Sequence, residues 1–267
     1  MLRSPAVAGQ FYAATSQQLR NQVEQYLEKD HVREFARAMV CPHAGLVYSG
    51  PVAGAVYSRV QIPDTLLLVG PNHTGLGPPL SIYAEGSWSM PNGTVSIDQR
   101  LATDLLERCP QALSDTEAHR FEHCLEVQLP FIQYFRPAAA IVPVIMMSTE
   151  LAVCRALGEA MAAVVLESAR PVSIVASTDM SHYEPDAVAR RKDQWAIDEI
   201  LAIDPLGLHR VVREKRISMC GFAPTVAVLF AALRLGATQA KLVKYMTSGE
   251  TTGDYDQVVG YAGLLII

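Results

Sequence analysis

Three of the seven histidines and one of the five cysteines stand where an apolar run gives way to a turn or a helix start. His43 lies in Cys41-Pro42-His43-Ala44-Gly45, His73 in Gly70-Pro71-Asn72-His73, His182 in Asp179-Met180-Ser181-His182, and Cys220 in Met219-Cys220-Gly221. In α/β proteins, ligands and catalytic groups collect in the crevice beyond the carboxyl ends of the strands. Imidazoles and a thiolate converging there point to a metal, since neutral imidazole is the commonest protein ligand for zinc, copper and iron. For any one ring alone, a histidine that packs or caps a turn is the plainer alternative. Cys220 precedes Gly221 at an expected helix start, where free N–H groups and the positive dipole end favour thiolate, a metal ligand or nucleophile. Its plainer reading is a small buried apolar residue.

Asp179 and His182 offer a carboxylate and an imidazole to the same crevice, although an Asp capping the turn reads as well. His123 and Glu126 are three apart and share a face if both lie on a helix, as acid and base, as a hydrogen-bonded support, or as a surface pair. Cys41 is assigned to the core, and Cys109, Cys124 and Cys154 carry no signal. His31, His119 and His209 fall in polar helical or loop contexts and are expected on the surface.

Alternating strand and helix signals must position these groups. Thr65–Val69, Ala139–Met146 and Val172–Ala176 are continuous apolar runs, the pattern of strands covered on both faces. Arg37–Cys41 is a short strand, and two more strands are expected near 241–246 and 258–267. Helices are expected from Ser16, from Gly50-Pro51 to Arg59, from Asp98 to Glu107, and near 125–135, 150–167, 187–201, 205–212 and 222–235. Residues 74–93 are rich in Gly and Pro, with short edge strands at 81–83 and 87–90 around a Pro91-Asn92-Gly93 turn. Without repeat, low-complexity tract or hinge, residues 1–267 read as a single three-layer α/β/α domain.

Composition agrees: 267 residues with 50% hydrophobic and 18% charged side chains suffice for a well-buried core. A net charge of −5 and no basic stripe exclude an electrostatic case for nucleic acid or an anionic membrane. Arg190-Arg191-Lys192, the densest basic run, is a solvated helix face. There is no signal-peptide pattern and no apolar run of the roughly 18 residues a membrane span needs, so a cytoplasmic location is expected. Five cysteines without CxxC spacing fit a reducing compartment rather than a disulfide framework or a zinc finger.

Several longer motifs, in order along almost the whole chain, resemble the Memo family. They are Arg3-Ser-Pro-Ala-Val-Ala-Gly-Gln-Phe-Tyr12, Pro42-His-Ala-Gly45 with Tyr48-Ser-Gly50, Gly70-Pro-Asn-His73, Glu122-His-Cys-Leu-Glu-Val-Gln-Leu-Pro130, Ser177-Thr-Asp-Met-Ser-His182, Cys220-Gly221 and Gly260-Tyr-Ala-Gly263. The N-terminal motif is similar to the prokaryotic branch described as protein B of the AmmeMemoRadiSam system. Two positions depart from the pattern: Ala13 stands where the family often has Pro, and Cys124 where many members have Ser.

The resemblance implies a fold like the class III extradiol non-haem iron dioxygenases. It implies metal ligation by His43, His73 and Cys220, with Asp179, His182 and His123 as pocket partners. Iron(II) is the expected metal, with copper(I) and zinc(II) as alternatives, because a thiolate replaces the carboxylate of the extradiol site. The expected function is a metal-binding protein with iron-dependent redox or dioxygenase-type activity. His182 would act as general base, tuned by Asp179. A peptide- or small-ligand-binding module and a thiol or metal hydrolase are the two alternatives. Radical SAM and AMMECR1-like proteins are the expected partners, and the strand-end pocket is expected to take a small molecule or peptide.

Overall fold

The apolar runs without alternation become the interior strands of one large sheet. The computed structural model describes residues 1–29 and 31–267. Its strands are β1 (Leu2–Arg3), β2 (Ala38–Cys41), β3 (Thr65–Pro71), β4 (Leu80–Ile82), β5 (Ser87–Met90), β6 (Gly93–Ile97), β7 (Leu113–Ser114), β8 (Ala140–Met146), β9 (Val172–Ser177), β10 (His182–Glu184), β11 (Ala240–Thr247) and β12 (Val258–Ile266). The order along the sheet is β1-β5-β6-β8-β3-β9-β2-β12-β10, with β11 on β12 and β4 bridging β8 and β7. From β6 through β8, β3 and β9 to β2 every pairing is parallel, and β12 then runs antiparallel to β2. Every residue of β2, β3 and β9 is buried, as strands covered on both faces require.

Helices Ser16–Tyr26, Leu46–Tyr57 and Leu129–Phe135 pack together on one side. Helices Gln99–Arg108, Leu151–Glu167, Pro205–Glu214 and Phe222–Arg234 cover the other, and Asp186–Leu201 packs across β11 and β12. The first two helices approach closely at glycines: a Cβ on Gly54 would lie 2.2 Å from the Tyr26 carbonyl oxygen. None of the helices among the described residues is long and apolar enough to cross a membrane.

Three local expectations change. The helix expected from Gly50-Pro51 begins four residues earlier at Leu46, with Pro51 inside it at the cost of one intrahelical bond. The turn at Pro91-Asn92 closes a hairpin whose second strand, β6, carries too few apolar residues to show in the sequence. Residues 182–184, without an apolar pattern, join the sheet edge by pairing with β12.

Three parallel strands end side by side. Beyond Cys41 comes His43, beyond Pro71 comes His73, and beyond Ser177 comes Asp179, so strand polarity alone gathers two imidazoles and a carboxylate at one edge.

Candidate metal centre

His43 is 1% exposed, and its ring is tied at both nitrogens. Nδ1 lies 3.0 Å from Ser177 Oγ, and Nε2 lies 3.2 Å from Cys220 Sγ. The Ser177 hydroxyl has one proton, which it donates to the Cys124 carbonyl at 2.7 Å. Ser177 Oγ also accepts from Gln128 Nε2 at 2.9 Å, so its contact with His43 is an acceptance from Nδ1–H. Tyr57 donates to Gln128 Oε1 at 3.1 Å, and Gln128 Nε2 also reaches the Pro42 carbonyl, which fixes the orientation of that amide. Nε2 of His43 is therefore the bare nitrogen, facing the thiol. Burial and the three neighbouring histidines hold the ring well below its ordinary pKa, in its neutral, ligating form.

His73 is positioned by Glu122, which is 1% exposed. His73 donates Nδ1–H to Oε1 at 2.9 Å and its main-chain N–H to Oε2 at 2.6 Å. The main-chain N–H groups of His123 and Cys124 also reach Oε1, at 2.9 and 3.0 Å. Burial lowers the His73 pKa, but the Glu122 carboxylate outweighs it and leaves the ring above its ordinary value. Burial would raise Glu122, and the bond from His73 outweighs that, holding the carboxyl at about 2.

His123 closes the cluster. Its ring stacks on His73 at 4.7 Å, meets His43 edge-on at 5.5 Å, and is backed by Phe11 at 4.8 Å. The ligand atoms of His43, His73 and His123 all lie within 4.8 Å of one another, while Cys220 is not among that triad and meets it at His43 Nε2. His123 and Glu126 do not share a helix. His123 lies in a loop, and Glu126 opens a short 3-10 turn. Fully buried, Glu126 accepts from Arg3 Nη1 at 2.5 Å, Tyr12 Oη at 2.6 Å, and the main-chain N–H groups of Ala6 and Val7. It thus binds the N-terminal arm whose Phe11 backs His123.

Cys220 precedes Gly221, the N-cap of helix Phe222–Arg234. A Cβ on Gly221 would lie 2.5 Å from the Ser177 carbonyl oxygen, so only glycine lets the thiol come this close to β9. Asp179 N–H donates to Sγ at 3.2 Å. The helix start does not make a thiolate of Cys220 in the metal-free chain: burial, then the Asp179 carboxylate, push the thiol up.

Asp179 Oδ1 accepts the main-chain N–H of His43 at 2.7 Å, and burial raises its carboxyl to about 6. His182 is partly exposed, and its ring is oriented by the Ser218 carbonyl, 2.9 Å from Nδ1, rather than by Asp179. His119, expected on the surface, is fully buried with Nε2 2.9 Å from Ser81 Oγ. Its helix, Glu117–Arg120, is capped over by Arg3, whose Nε donates to the His119 carbonyl.

Three imidazoles within 4.8 Å of one another, two with Nε2 left bare by a bond at Nδ1, and a thiol against one of them are donors that fit a transition-metal ion or zinc. Ser177, Gln128 and Glu122 were not singled out from the sequence. Of the three only Glu122 carried a signal, as a carboxylate beside a histidine.

The model of the Memo-like protein family matches residues 3–265. A MEMO1 family protein of Methanopyrus kandleri is 41% identical over 279 residues, covering 99% of both chains. One from Methanothermobacter thermautotrophicus is 40% identical over 277 residues, covering 99% of this chain and 100% of the relative. One from Aquifex aeolicus is 40% identical over 270 residues, covering 100% of this chain and 99% of the relative. Among solved structures, an uncharacterized protein of Escherichia coli K12 superposes with a TM-score of 0.59 at 14% identity, covering 85% of this chain and 98% of that one, a likeness of fold alone. Family model, full-length identity and strand-end histidines agree: this chain belongs to the Memo family.

Proposed function

We propose that His43, His73 and Cys220 hold a metal ion, iron(II) before copper(I) or zinc(II), for redox chemistry of the dioxygenase type on a small substrate. The observation that carries the reading is the fixed Nε2 of His43, bare and 3.2 Å from Cys220 Sγ. A bound iron ion would supply electron exchange with an oxidant and a positive charge that favours an ionised substrate hydroxyl.

The chain's own residues supply the rest. Cys220 gives up its proton on loading, so ligation strengthens as pH rises. His123, backed by Phe11, lies against the buried ring of His43 and the solvent-facing ring of His73 and forms one wall of the site. His182 carries its proton on Nδ1, bonded to the Ser218 carbonyl, and offers Nε2 as a base for a substrate hydroxyl. Asp179 holds the His43 backbone and places a carboxylate beside Cys220.

The test is anaerobic purification and competitive reconstitution with iron(II), copper(I) and zinc(II). Bound metal is measured for the wild type, His43→Ala, His73→Ala and Cys220→Ala. Near-stoichiometric iron lost in all three variants, followed by oxygen consumption with a substrate panel, is the expected outcome. Metal content indifferent to the three substitutions would end the reading.

A further inference from the structure

We infer that Glu122 is the positioning residue that turns Nε2 of His73 toward the metal centre and pins the His123 loop to the end of β3. The inference rests on the proposed metal site and adds a residue to it. A carboxylate has about four lone-pair directions, and Glu122 receives four N–H donors: His73 Nδ1, His73 N, His123 N and Cys124 N. Three of the donors share Oε1 and the fourth takes Oε2, so the carboxylate is engaged by the loop and by His73, although its oxygen lies within 4.8 Å of ligand atoms on His73 and Cys124.

Two consequences follow from one side chain. Acceptance from Nδ1–H puts the His73 proton on the nitrogen away from the cluster, leaving Nε2 for the metal, as the Ser177 hydroxyl does for His43. Acceptance from three main-chain N–H groups joins residues that follow β3 to residues some fifty positions later, with no strand pairing between them. Glutamine cannot replace this carboxylate, because its NH2 group would confront N–H donors on one side or the other.

The experiment uses the full chain with 15N-labelled histidine and zinc(II) as the probe. In the metal-free wild type at alkaline pH, where the ring is neutral, long-range 15N–1H spectra should show His73 with its proton on Nδ1. The signal is assigned by its loss in His73→Ala. Glu122→Gln should lose that single tautomer and bind zinc about 10- to 100-fold more weakly in competition with a chromophoric chelator. A wild-type proton on Nε2, or a Glu122→Gln variant with unchanged tautomer and zinc affinity, overturns the inference. If Glu122→Gln does not fold, the wild-type spectrum decides alone. Zinc affinity unchanged by His43→Ala would mean that the metal reading has failed, and the ring spectrum would still decide whether Glu122 holds His73.

Discussion

Replacing Arg3 with alanine is expected to cost about 3–5 kcal/mol, the usual loss when one partner of a buried ion pair is removed. Arg3 is 5% exposed, Glu126 is 0% exposed, and they meet at 2.5 Å. The guanidinium also donates to the carbonyls of His119 and Glu122, each at 2.6 Å, and lies 4.1 Å over the Trp88 ring. Two orphaned buried carbonyls at about 1–3 kcal/mol each would push the total higher. Two features limit it: Glu126 keeps Tyr12 Oη and the N–H groups of Ala6 and Val7, and the arm can lift locally and admit water. At about 2 °C for each kcal/mol in a chain of this size, the midpoint of thermal unfolding should fall by roughly 6–10 °C. Urea unfolding followed by circular dichroism gives the free energy directly. Arg3→Met combined with Glu126→Gln should be less destabilised than the sum of the single changes by at least about 1 kcal/mol. A loss under about 1 kcal/mol for Arg3→Ala, or strict additivity in the cycle, would refute the claim that the arm is held by a desolvated charge pair.

Gly54→Ala should destabilise by about 1–3 kcal/mol, because the new methyl meets the Tyr26 main chain, and the urea midpoint measures it. His119 adds a pH dependence. Burial, then the charge of Arg3, hold its pKa at about 3 against an ordinary 6.5, so the unfolded chain takes up a proton that the folded chain refuses. Its contribution is whole above 6.5 and is lost as pH falls toward about 3; His119→Gln should flatten that limb of the stability profile, and an unchanged limb would count against it.

The interior of the sheet could be read from the sequence because Thr65–Val69, Ala139–Met146 and Val172–Ala176 are apolar without alternation, and only buried parallel strands tolerate that. His43 and His73 were visible because each follows such a run directly. Glu122 was not, because a carboxylate next to a histidine has the same local pattern whether it faces solvent or accepts four N–H bonds. Glu126 misled for a related reason: three-residue spacing suggests a shared helix face, but its partners Arg3 and Tyr12 lie more than a hundred residues away. The polar context of His119 suggested exposure, and the guanidinium that covers it also comes from the distant arm. Cys220 was found from its place before a glycine, while its thiol is pushed up by burial first and the Asp179 carboxylate second, neither of which a local pattern supplies.

The groups of the candidate centre are spread widely along the chain. His43 and Asp179 are joined across 136 residues, and His43 and Cys220 across 177. Contacts so remote in sequence form late, after the loop-closure entropy of the intervening strands has been overcome. A nascent chain that has emerged as far as Asp179 has its imidazoles but no thiol, and its His43 Nε2 has nothing opposite it. A metal held through the proposed Cys220 ligand would therefore report that folding has finished.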